Sequence, residues 1–168
     1  DWEICVPAEQ LQDAVSLLTS EERIMDYPAI APRERRQPRS LAHTYHRFSV
    51  RGWDCTFILV PSNDIHLSYE PAHIQRSLNG LPYPRLDVFV QSLLDTYNIV
   101  ALCDVVDGTD VSLDWGSQHL DLAGTNDVQW AIQTNSRLRD LCGGNGPAYW
   151  IVMLPTGTVK KSNLWEDI

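Results

Sequence analysis

A chain of 168 residues, 43% of them hydrophobic and six of them Trp, carries enough apolar surface to close a core, which excludes intrinsic disorder. Its formal net charge of −9 argues against a broad nucleic-acid-binding surface, and no apolar run approaches the 18 residues a membrane-spanning helix needs. At this length a single domain over 1–168 is the expectation, with a sheet-containing core at 1–70, a mainly helical stretch at 71–142, and a strand and tail at 143–168.

The chain opens on DWEICV, which reads as a strand. Alternation puts Asp1 and Glu3 on one face and Trp2 and Ile4 on the other. PAEQLQDAVSLLTSEER follows as a helix, with Pro7 at its start and Leu11, Ala14, Val15 and Leu18 at helical spacing. Residues 26–40, with three Pro and the run RERRQPR, read as an exposed loop. TYHRFSV and WDCTFILV, rich in β-branched and aromatic residues on either side of Arg51-Gly52, predict a hairpin.

A further short strand is expected at IHLSY, 65–69, and a short helix from Pro71 to Leu78, with NGLPYP as a turn. PRLDVFVQSLLDTY predicts an amphipathic helix and NIVALCDVV a second apolar one. In the acid-rich run from Asp104 to Asp114, Asp107-Gly108 signals a turn and Thr109 or Asp110 an N-cap. The acids there are three, three and four residues apart, which is not the alternating pattern of a calcium loop. NDVQWAIQTNSRLRDLCGG reads as a helix, with Asn126 and Gln129 as a capping box and Gly143 as its stop. AYWIVML then reads as a buried strand and PTGTVKKSNLWEDI as a turn and tail. The order predicts an α+β fold: a small mixed β-sheet from 1–6, 44–50, 53–60 and 65–69, helices packed on one side, and a helical C-terminal part.

Cys5, Cys55, Cys103 and Cys142 contain no C-x-x-C pair, so the usual zinc spacing is missing. Cys5, Cys55 and Cys103 sit in apolar runs and read as small core residues. All four are taken as reduced, which favours an intracellular, cytoplasmic protein. Residue 1 is not Met and a strand is already under way, so the sequence reads as part of a longer protein.

Three groups carry chemistry. Asp1, Glu3 and Asp54, converging from two strands, could hold Mg²⁺, which takes oxygen ligands and keeps room for substrate phosphates. The bland reading makes Asp1 and Glu3 solvated strand-end residues and Asp54 a surface acid after a turn. RERRQPR could clamp phosphate through Arg35 or Arg36, could serve as a localisation-like basic patch, or could be a solvated loop against an acidic body. The histidines offer little: His43 and His46 face opposite sides of a strand, and His66, His73 and His119 stand alone in the sequence.

A strand reading D-x-[DE]-apolar-apolar, then a helix, then a strand carrying a third acid, resembles the core of the nucleotidyltransferase superfold, the DNA polymerase beta-like fold. DWEICVP, GLPYPRLDVFVQSLLDT, VVDGTDVSLDWGSQHLDL and NDVQWA also look like a group of fungal proteins with this fold, a likeness that spans most of residues 1–142. The resemblance implies Mg²⁺-dependent transfer of a nucleoside monophosphate from a nucleoside triphosphate to an acceptor. Asp1 and Glu3 would be the first pair of catalytic metal ligands and Asp54 the third. Two alternatives stay open. One is a catalytically inactive member of the fold that binds a nucleotide or a partner. The other is a biosynthetic enzyme of another class using a pocket between sheet and helices.

Overall fold

The computed structural model describes residues 1–32, 41–141 and 154–168. The 33–39 arginine run with Arg35 and Arg36, Cys142, the Gly143 stop and the AYWIVML strand up to Met153 lie outside the described residues. Within them the protein is mixed α+β, with a small mixed sheet and six α-helices. Chain contacts divide the described residues into a unit at 1–64 and a second at 65–141 with 154–168.

In the first unit, β1 (Trp2–Val6) is followed by a 3₁₀ turn and α1 (Leu11–Leu18). The chain returns through β2 (Ala29–Ile30), β3 (Arg47–Ser49) and β4 (Thr56–Pro61), in spatial order β1-β4-β3-β2. β1 and β4 are parallel, with Trp2 opposite Phe57 and Ile4 opposite Leu59. The hairpin β3–β4 forms as its composition predicts, Phe48 facing Phe57. Its turn is longer than Arg51-Gly52: residues 50–55 lie between the strands, closed by a 2.9 Å bond from Val50 N–H to the Cys55 carbonyl, and Gly52 takes a φ of +81° that favours glycine. The fourth strand of the sheet is β2, not 65–69, which forms no strand. Phe48, Phe57 and Leu59 meet Val15 of α1 in a buried cluster, and Phe48 and Phe57 stack at 5.4 Å. The period-2 pattern of β4 and the helical pattern of α1 thus bury the same layer.

The second unit starts with a hairpin of β5 (Ile74–Arg76) and β6 (Pro82–Pro84) where a short helix was expected. Only Pro71–His73 coils, as a 3₁₀ turn, and Gly80 at φ +78° makes the bend. The helices α2 (Leu86–Asp95), α3 (Ile99–Thr109), α4 (Leu113–His119) and α5 (Val128–Leu141) follow. Asp107 and Gly108 lie inside α3 and form no turn. Asp110 ends that helix in the left-handed region, and Ser112, accepting from Trp115 N–H at 3.1 Å, caps α4. The tail contains a further helix, α6 (Lys161–Glu166). Its Leu164 and Trp165 join Val90, Leu93, Leu94 and Leu102 in the unit's core.

Two asparagines tie the C-terminal segment to this unit. Asn126 exchanges hydrogen bonds with the Gly157 carbonyl and the Val159 N–H, at 3.2 and 2.7 Å. Asn135 does the same with the carbonyl and N–H of Leu154, at 2.9 and 2.8 Å. An amide side chain offers one acceptor and two donors, so each Asn satisfies a stretch of backbone as a neighbouring strand would. Asn126 is therefore occupied, and the cap of α5 falls one residue later: Asp127 accepts from Trp130 N–H at 2.9 Å.

Candidate functional site

β1 delivers Asp1 and Glu3 to the face of the sheet opposite α1. Asp1 stands level with Thr56, just ahead of the paired stretch that begins at Trp2 and Phe57. Its carboxylate is held from two sides: Arg47 of β3 donates through Nε and Nη2 at 2.9–3.0 Å, and the Thr56 hydroxyl donates to Oδ1. The side chain of Asp1 is only 1% exposed and that of Arg47 26%. A guanidinium spread over both carboxylate oxygens is the strong, geometrically specific form of this pair. Glu3, one pleat further on, is exposed.

Asp54 is not part of a strand. β4 starts at Thr56, and Asp54 lies two residues earlier in the exposed turn. The hydroxyl of Thr56, not the carboxylate of Asp54, meets Asp1. Among the described residues no three His, Cys, Asp or Glu side chains are grouped to hold a metal ion. Mg²⁺ needs near-octahedral oxygen ligation from carboxylates with free lone pairs. Here Asp1 is taken up by Arg47 and Thr56, so the residues present do not fit the ion. Cys5 also differs from expectation, since it is exposed and not a core residue. The strand around its sulfur still desolvates the thiolate and raises its pKa, and that local environment decides its acidity. Cys55 and Cys103 are likewise free thiols.

The second unit assembles a group that no local pattern announces. His66, at φ +55°, points Nε2 at Asp127 Oδ2 (3.1 Å) and Nδ1 towards Asp95 Oδ2 (3.8 Å), with the Trp130 ring edge-on at 6.4 Å. The other oxygen of Asp95 meets Lys161 Nζ at 3.3 Å, and Lys161, 9% exposed along its side chain, also lies 3.5 Å from Asp121. Asp127 is held below the usual carboxylate range, first by the Trp130 N–H it caps and also by His66. Within this group each charged side chain faces an opposite one, so the group ties α2, α5 and α6 together and offers no unpaired nucleophile. Its members are 61 and 66 residues apart in sequence for His66–Asp127 and Lys161–Asp95, beyond the reach of any motif.

The Arg47 pairing separates this face from an open acidic metal centre. No family model, curated protein or solved structure matches the chain. Among the described residues, no helix is long and apolar enough to cross a membrane.

Proposed function

We propose that the chain is a binding protein of nucleotidyltransferase-like organisation whose D-x-E strand is closed by an internal cation, and that it does not catalyse Mg²⁺-dependent nucleotidyl transfer. The observation that carries this is the Arg47 guanidinium lying across both oxygens of Asp1. It supplies the positive charge that a divalent ion supplies in a transferase, so the carboxylate is neutralised without a metal. The order of elements supports the organisation: a D-x-E strand, a helix, then a parallel neighbour strand with an antiparallel one beyond it. The ligand class that the resemblance implies is a nucleoside triphosphate, here bound without a metal bridging its phosphates.

Calorimetric titration with each of the four ribonucleoside triphosphates, with and without Mg²⁺, tests this on the wild type, Asp1→Ala and Glu3→Ala. The expected result is the same affinity with and without metal and in both variants. A Mg²⁺-dependent affinity that either substitution abolishes would restore the transferase reading. If none of the four binds, the nucleotide half of the proposal is wrong.

A further inference from the structure

The face of β1 opposite Asp1 and Glu3 is unused by that function. An open groove of about 610 Å³ runs there between the sheet and α1, within the size range of small-molecule sites. Phe57 and Leu59 contribute buried core surface to it, while Trp2, Ile4 and Leu17 line it at 63%, 44% and 64% exposure. Three large apolar side chains around one open space form a contiguous patch, unlike singly scattered surface hydrophobics. Among the described residues Arg23, in the turn after α1, is the one charged residue lining the groove, and its guanidinium makes no hydrogen bond or ion pair with any of them.

We propose that this groove binds an amphiphilic monocarboxylic acid, its apolar body against Trp2, Ile4 and Leu17 and its carboxylate on Arg23. A single guanidinium matches a single carboxylate through two parallel N–H donors. Both halves of the ligand are required. An anion without an apolar body meets a protein of net charge −9 with one exposed cation to hold it. An apolar molecule without an acid leaves Arg23 unused.

Calorimetric titration with decanoate, decan-1-ol and acetate, each below any aggregation threshold, tests the assignment. Decanoate should bind about fivefold more tightly than decan-1-ol, the range of a solvent-accessible ion pair, and acetate should give no heat. Arg23→Gln should abolish that preference while leaving decan-1-ol unchanged. Leu17→Asp should weaken both ligands at least tenfold, since it puts a charge on the apolar wall. Both positions are exposed, so the variants should melt with the wild type by circular dichroism. Equal affinity for acid and alcohol would overturn the role of Arg23. Decanoate binding untouched by Leu17→Asp would place the site elsewhere. A dimer in sedimentation that Leu17→Asp dissociates would make the groove a contact between two copies and overturn the ligand assignment.

Discussion

The side chains of Asp1 and Arg47 show how one residue's neighbours decide what it can do. A carboxylate on an exposed strand end is free to bind a cation, whereas one that is 1% exposed and bonded to a guanidinium and a hydroxyl is not. Removing the guanidinium leaves the carboxylate shielded from water and without the cation that neutralises it, and hydrogen bonds to charged groups are each worth about 1.5–3 kcal/mol. Arg47→Ala should therefore lower stability by about 2 kcal/mol in urea unfolding, and Arg47→Lys should recover about half of that loss, because a single ammonium cannot span both oxygens. A loss near zero for Arg47→Ala would show that the pair is an ordinary surface contact.

At the scale of elements, two helix positions carry sharp consequences. Asp127 caps α5, and its folded-state pKa is lowered, so its contribution is present above the ordinary carboxylate range and is lost as pH falls through the lowered value. Asp127→Ala should cost about 1 kcal/mol at neutral pH, the usual worth of a cap, with the difference from wild type shrinking below about pH 4. Asp127→Asn keeps an acceptor for Trp130 N–H and should lose less at neutral pH, its difference from wild type likewise shrinking as Asp127 of the wild type is protonated. Thermal melts between pH 3 and 7 would check both. In α4, a Cβ on Gly116 would overlap the indole of Trp165, itself 3% exposed and bonded through Nε1 to the Leu113 carbonyl. Glycine is needed there for close approach and not for its backbone freedom. Gly116→Ala should destabilise by about 2 kcal/mol, an overpacking cost. Combined with Trp165→Leu it should cost less than the two separate losses together, since the second change removes the clash created by the first.

Across the whole molecule, what could be read from the sequence follows from how local each signal is. β1, the β3–β4 pair, α2, α3 and α5 each carry their period within one continuous stretch, and each forms. β2 is two residues long and exists only because Ala29 and Ile30 find Phe48 and Arg47, which no periodicity reports. The β5–β6 hairpin was hidden by its prolines, although Asn79-Gly80 is a hairpin turn signal. α6 was hidden by its length, since six residues hold too little pattern to separate a helix from a tail. In the candidate site, the alternation of DWEICV correctly divides charge from apolar surface. What closes Asp1 could not be read, because Arg47 reaches it through a sheet register set by tertiary pairing. The same limit hid the His66 network.

The place of α6 also bears on how the protein is made. The core around Val90, Leu94 and Leu102 is completed by Leu164 and Trp165, and the Asp95 carboxylate receives its lysine from residue 161. A nascent chain with α2 to α5 outside the ribosome and α6 still in the exit tunnel holds an apolar surface that α6 has yet to cover. During synthesis this unit must wait for α6, and until α6 emerges a chaperone would find that apolar face open.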